Sequence, residues 1–499
     1  MRKRVKPLRT RISTVILAGI LLCAMHSFGQ TFAPWPAGGV DTSVKKEEQQ
    51  HMETSDGPSS IRYKGLSFTP GGFLEGAFVF RTRNENADIN DTYTGVPLNG
   101  STNSKLSEFR GSARDSRVSL LFEGSSRKTQ LSGYFEMDFL GAAPTANYVQ
   151  TSAFTPRLRQ AWLQIKRPSG WTFTGGQLWT LMTTHRHGIE TRAEFIPSTA
   201  DGSYAVGFNY TRGRAFRVTK NLHDKVWLGL EMEEAESTYS AAFVPADVMG
   251  LNTSQNTSTG VLLLPFLPNY SNGHSTAMAP DLAAKVAFEP GWGHFEVKGI
   301  GRFFRDRIPS TETAIGHSNV TYGYGVGFAA ILPAVRNKVD IILQGLAGQG
   351  VGRYGAAGLP DVTLDPRDGR MLPLRTAHML AGIEVHPGKK LDIYGYLGNE
   401  YVGRYAAVTA TGGPGGYGSP LVSYRGCTNE VAVNTCSGAN RNVQEATAGY
   451  WFRFFKGSFG TVQYGNQVAF LRRTLWSGIG TAPQGTDLVV YSSVRFYLP

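Results

Sequence analysis

The sequence predicts an all-β chain closed into a transmembrane antiparallel β-barrel of 16 strands, with short turns on one rim and long loops on the other. Three observations predict it. Segments of about ten residues alternate apolar and polar side chains, the length a tilted strand needs to cross a bilayer. The connections between them run long, short, long, short to the end of the chain. After the N-terminal leader no stretch reaches the ~18 consecutive apolar residues of a spanning helix, and in lipid only a helix or a closed barrel satisfies every backbone hydrogen bond. Composition agrees: among 499 residues there are 60 Gly and 11% aromatics, without long helix-forming runs.

The stretch "LSGYFEMDFLG" displays the alternation. Leu131, Gly133, Phe135, Met137 and Phe139 share one face; Ser132, Tyr134, Glu136 and Asp138 share the other. A soluble sheet would turn the apolar face to a core. A membrane barrel turns it to lipid and directs the acids to water.

From the N-terminus, six cations from Arg2 to Arg11 precede the apolar "VILAGILLCAM" and the small residues before Gln30, so residues 1–29 are expected to be a secretory signal. Removing those six cations takes the formal charge from +12 to about +6, too mild and too scattered for nucleic-acid binding. Residues 30–64 are polar and are expected to remain periplasmic as a short helix ("SVKKEEQQHMET") or as disordered chain. About 40 residues before the first strand exclude a transporter plug domain. Residues 65–499 form the expected barrel.

Its strands are expected at 73–83, 117–124, 130–139, 158–167, 170–179, 204–219, 225–233, 281–289, 293–304, 320–331, 337–346, 376–386, 390–401, 442–455, 458–471 and 487–498. The sixth is read as one long strand bent at Gly213. Short turns such as "RPSG", "EPGWG" and "HPGKK" carry Gly, Pro and Lys. The long loops span 84–116, 140–157, 180–203, 234–280, 305–319, 347–375, 402–441 and 472–486. Both chain ends then lie on the short-turn, periplasmic side. Secreted β-sandwiches are the soluble alternative, but their loops show no such strict alternation of length. Phe139, Trp171, Trp179, Trp292, Phe303 and Tyr401 are expected in interfacial girdles. Leu488, Val490, Val494 and Phe496 share a face of the last strand, which should close against the first. Cys427 and Cys436, close together in an exported chain, are expected to form a disulfide.

The segments "GGFLEGAFVFRTRNENADIN", "LSEFRGSARDSRVSLLFEG", "GYFEMDFLG" and "RLRQAWLQI…GWTFTGGQLWTL" resemble the trimeric porins of Gram-negative bacteria, and among them DcaP-like porins of the form common in acidobacteria. The resemblance is clearest over residues 65–235. It implies a sixteen-stranded homotrimeric barrel in the bacterial outer membrane that passes small hydrophilic solutes, with anionic ones favoured, and no enzymatic activity or cofactor. Some members carry a long N-terminal coiled coil, where this chain has only "SVKKEEQQHMET".

The chemistry of such a channel is electrostatics in a narrow wet gap. By alternation Arg81, Arg83, Arg117, Lys166, Lys225, Lys298, Arg302, Arg453 and Arg495 point inward, against Glu75, Glu123, Glu136, Asp138, Glu231, Glu233, Glu296, Asp340, Asp392 and Glu400. The third long loop is the expected constriction, with His185, Arg186, His187 and Arg192 facing Glu190 and Glu194. Mild anion preference is expected from Arg81, Arg83, Arg117, Arg186 and Arg192; alternatively these arginines pair with acids and hold the loop in place. Gly323, Gly325 and Gly327 would leave room for a folded-in loop. "HRHG" lacks further ligands nearby for a metal. The trio His187, Ser198 and Asp201 permits a lipid-hydrolase alternative on paper, without a nucleophile motif around Ser198. A structural or adhesion barrel with a blocked lumen is the remaining alternative.

Overall fold

A computed structural model of the protein describes residues 60–141, 155–240, 277–308, 310, 315–430, 436, 438–480 and 482–499. The expected signal segment, residues 30–59 with "SVKKEEQQHMET", and most of loops 140–157 and 234–280 lie outside the described residues.

Sixteen strands form one closed antiparallel wall. They are β1 (Leu66–Arg81), β2 (Glu108–Ser112 continued by Arg117–Ser126), β3 (Thr129–Gly141), β4 (Thr155–Lys166), β5 (Trp171–Trp179), β6 (Arg212–Leu222), β7 (Val226–Glu233) and β8 (Asp281–Phe288). The second half comprises β9 (His294–Ile308), β10 (His317–Val335), β11 (Val339–Gln349), β12 (Arg375–Gly388), β13 (Leu391–Val402), β14 (Asn440–Gly457), β15 (Gly460–Leu475) and β16 (Gln484–Tyr497). Each strand pairs with its sequence neighbour, and β16 closes on β1 in the register Phe73↔Tyr497 to Arg81↔Val489. No strand edge is left along the wall, which is what lipid requires of it.

The alternation resolves as the membrane reading of "LSGYFEMDFLG" demands. Tyr134, Glu136 and Asp138 are buried inside, while Phe135 is exposed outside. Around the circumference the outward positions are large and apolar: Leu74 and Phe78 on β1, Leu163 on β4, Phe216 on β6, Leu230 on β7, Val326 on β10, Leu397 on β13 and Phe470 on β15 are all exposed. A continuous apolar belt of this kind is not tolerated by a water-facing surface.

Four expectations need correction. Residues 204–211 are not strand: β6 begins at Arg212, and 204–211 belong to the third loop, L3 (180–211). The alternation in "YAVGFNY" that suggested a strand is real, but those side chains pack inside the barrel: Tyr204, Val206 and Phe208 are buried there. The first loop contains strand. Glu108–Ser112 extends the wall along Ala77–Arg81, interrupted from the rest of β2 by "ARDS". Trp179 is not in a girdle; it is buried against Tyr204, Phe208 and Tyr210 with ring centroids 5.6–6.4 Å away. Within 30–64, Ile61–Tyr63 is neither helix nor disordered chain but a short strand folded back on Leu66–Phe68.

The core therefore sits inside the barrel. Ile89, Tyr93 and Val96 of the first loop, L1 (82–107), meet Phe195, Val206 and Phe208 of L3 and Leu359 of L6 (350–374) in one cluster, which also takes in Ile342, Tyr396, Val489 and Tyr491 from the wall. Inward apolar positions that would otherwise face water are covered by infolded loop.

Candidate functional site

L3 leaves β5 at Trp179, crosses the bore and returns at Arg212. Its first half is tied to one wall. The Leu181 N–H donates to Glu231 (2.8 Å), the His185 N–H to Glu296 (2.8 Å) and the Thr184 hydroxyl to Gln344 (2.7 Å), while the Lys298 ammonium donates to the Met182 carbonyl (2.6 Å). Its second half is tied across the bore. The Ser198 N–H donates to the Tyr396 hydroxyl (2.9 Å), the Ala200 N–H to Gln467 (2.6 Å), the Val206 N–H to Glu445 (2.7 Å) and the Gly207 N–H to Glu400 (2.8 Å). The neutral bonds among these each stabilise by about 0.5–1.5 kcal/mol and those to charged groups by about 1.5–3 kcal/mol, so L3 is a fixed shelf.

Close approach makes the glycines necessary. At Gly207 (φ +85°) a Cβ would lie 1.9 Å from the Met379 carbonyl oxygen, and at Gly398 one would lie 1.8 Å from that of Val206. Gly323, Gly325 and Gly327 do face inward, but a Cβ there would meet Phe304, Val351 and Lys298. The room they leave is taken by wall side chains and L6 rather than by L3.

The inward charges divide into anchors and lining. Arg81 is fully buried on Asp91 (2.8 Å) and Glu108 (3.1 Å) and holds L1. Arg186 lies 2.7 Å from Glu384 and 5.0 Å from the Phe195 ring centroid. Lys166 holds Glu190 (2.8 Å), and Arg302 clamps Asp281 (2.9 Å) and Asp361 (2.8 Å). Arg453 bonds Asp392 at the short-turn end. Arg83 lies beyond the end of β1, where its N–H donates to Asp487 (3.0 Å). His185 and His187 part company: His185 is buried on Lys285 (3.0 Å) and Glu296 (3.3 Å), His187 lies on Glu289 (3.0 Å). Nor do the hydrolase candidates converge. His187 faces Glu289, Ser198 donates to Glu384 (3.0 Å) and Asp201 accepts from Tyr93 (3.2 Å).

A cavity of about 120 Å³ remains between L3 and the wall made by β1–β5 and β14–β16. Its wall side carries Arg117, Arg495, Glu136, Gln160, Tyr134 and Trp451; its loop side carries Glu194, Ser198, Asp201 and Tyr204. Arg117 and Arg495 stand 5.2 and 5.0 Å from the centroid of the same ring, Phe73. Arg117 is 3.8 Å from Glu136, and Arg495 is 2.9 Å from Glu75. Arg192 stacks on Tyr134 at 5.3 Å.

Arg159 was missed by alternation. A β-bulge puts Glu136 opposite Gln160 and Met137 opposite Leu158, so Arg159 and Gln160 both turn inward. Arg159 then reaches Glu136 (2.7 Å), Asp138 (2.8 Å) and the Tyr204 hydroxyl (2.9 Å). Arg157 shares Asp138 (2.7 Å). Arg212 lay hidden by the misplaced start of β6 and stacks on Trp179 at 4.8 Å. Arg217 and Lys285, by contrast, obey the alternation of their strands and could have been read from it.

On L3 the electrostatics follow from burial. Burial, then the nearby Lys285 charge, pushes the His185 imidazole down to about 3 and keeps it neutral. Burial pushes the Glu194 carboxyl up to about 7. For Tyr204 burial acts upward, but the guanidiniums of Arg159, Arg212 and Arg117 outweigh it and bring the hydroxyl down to about 8. At the outer rim a further tie is covalent: Cys427 and Cys436 are joined in L7 (403–439), next to the Lys105–Glu430 ion pair between L1 and L7.

A closed wall with an apolar exterior and an infolded, charge-anchored third loop defines a transmembrane β-barrel of sixteen strands, the architecture of outer-membrane channels. The solved outer membrane channel DcaP of Acinetobacter baumannii shares this fold with a TM-score of 0.60 at 15% identity, over 88% of this chain and 99% of that one. The anion-selective porin from Comamonas acidovorans (TM-score 0.44, 11% identity, 87% of this chain and 100% of that one) and OmpT, an outer membrane protein of Vibrio cholerae (0.43, 8%, 88% and 99%), are more distant. No family model matches the sequence, and no curated protein does.

Proposed function

We propose that the protein is a porin of the bacterial outer membrane that lets small hydrophilic solutes diffuse passively, with a mild preference for anions, and that it works as a homotrimer of the DcaP-like kind. The observation that carries the reading is the closed wall, greasy outside and charged inside, with a loop fixed across its bore beside a polar cavity. The basic and then apolar start of the chain supports export, and the motif resemblance supports the trimer and the family. Anion preference rests on fewer residues than alternation suggested. Arg81 and Arg186 are neutralised as anchors; Arg117 and Arg495 both face the cavity, Arg495 paired with Glu75 and Arg117 at the longer distance of 3.8 Å from Glu136.

The test is purified protein in planar bilayers. Stepwise conductance supports the porin. Its absence, with fatty acid released from the lipid, supports the hydrolase; its absence without release supports a barrel with a blocked lumen, a reading that the loops packed into the bore favour. In a salt gradient the reversal potential is expected on the chloride side. Arg117→Glu is expected to lower the chloride-over-potassium permeability ratio severalfold, and cation selectivity of the unaltered protein would overturn the anion preference.

A further inference from the structure

We propose that Glu194 is a selectivity-determining residue, a carboxyl on the loop side of the cavity that weakens anion passage when ionised and permits it when protonated. The inference rests on the porin reading and deepens it.

Four carboxyl groups line the cavity, and three are held by donors from other segments or side chains. Glu136 is held by Arg159 (2.7 Å), Asp201 by the Ser203 N–H (2.8 Å) and Tyr93 (3.2 Å), and Asp115 by Asn90 (3.3 Å). Glu194 differs: the residue is 6% exposed, and its Oε1 is buried without a hydrogen-bond partner. A carboxylate in such a place favours its neutral form unless cations compensate. The charged groups that face it are Arg217 from β6 and Lys285 from β8; the N–H groups of Glu194 and Arg192 donate to its other oxygen, and its backbone pairs with that of His185 across L3. The two wall cations are already committed, Arg217 to Glu231 (2.6 Å) and Lys285 to Glu296 (2.9 Å), and His185 is neutral. Compensation is therefore incomplete, in keeping with a titration near 7.

The sign follows. Below the titration Glu194 is neutral and the cavity presents Arg117 and Arg495; above it one negative charge is added on the opposing side. One charge acting through a wet gap of several ångströms changes ion partition by about twofold.

The experiment is the reversal potential of the full-length protein in planar bilayers under a KCl gradient, titrated from pH 5 to pH 9. The expected result is a chloride-over-potassium permeability ratio that falls about twofold as pH rises through 7, a Glu194→Gln profile that lacks this step and keeps only the changes contributed by Asp115 near 6 and the Tyr204 hydroxyl near 8, and a retained but displaced step for Glu194→Asp. A flat wild-type profile, or a full step surviving in Glu194→Gln, overturns the proposal. Should the Gln variant fail to give the heat-modifiable folded form, the Asp variant decides: a step with unaltered midpoint overturns it. Channels that conduct and select but ignore pH remove this inference alone; absence of conductance removes the porin reading with it.

Discussion

Arg81 and Arg117 illustrate how little an inward arginine says by itself. Both follow the alternation of their strands. Arg81 is wholly buried, with Asp91, Glu108 and the carbonyls of Asp88 and Ile89 all accepting from it. Arg117 keeps part of its side chain at the cavity, 3.8 Å from its acid. Removing one partner of a buried ion cluster costs about 3–5 kcal/mol, because the acids left behind are uncompensated. Arg81→Ala is therefore expected to lower the urea midpoint of the barrel refolded in lipid vesicles, whereas Arg117→Ala leaves it nearly unchanged and alters selectivity instead. Equal midpoints for the two variants would show that Arg81 is no anchor.

Among the elements, strands and loops follow different logic. A strand needs only its outer residues apolar and its inner ones compatible with what fills the bore, so β13 exposes Leu397 to lipid and turns Tyr394, Tyr396 and Glu400 inward. An arginine at a lipid-facing midplane position costs about 2–4 kcal/mol. Leu397→Arg is expected to reduce folding stability in vesicles by that amount, and a neutral result would place the position out of lipid. Loops obey no period. The same turn-poor "YAVGFNY" that alternates like a strand becomes the far limb of L3, because its N–H groups find the carboxylates of Glu445 and Glu400 instead of a ladder.

For the whole molecule, closure is the decisive event. β16 pairs with β15 on one side and with β1 on the other, so a chain ending before Gln484 leaves two wall edges open to lipid. Such a truncation is expected to yield no heat-modifiable folded species in detergent or vesicles; a folded, conducting product would mean that the sheet can close without it. Within the closed wall, L1, L3 and L6 pack on each other through Tyr93, Phe208 and Leu359, and this loop core divides the bore into a filled part and the cavity beneath L3.

The sequence by itself determined the number and order of the wall strands, the lipid-facing residues and, Arg159 and Arg212 apart, the side on which the wall charges lie. Those follow from a period of two and from turn chemistry, which are local. The bulge at Arg159 escaped because an extra residue leaves the composition of β4 unremarkable and shows only in its pairing with β3. Only the tertiary structure decided which inward charges are anchors and which face water. That depends on where the loops come to rest, and L3 finds its partners as far away as Gln467 and Arg495, more than 260 residues along the chain. Arg81, Arg117 and Glu194 look alike as inward or loop charges in a sequence; burial, which is a property of the assembled barrel, separates them.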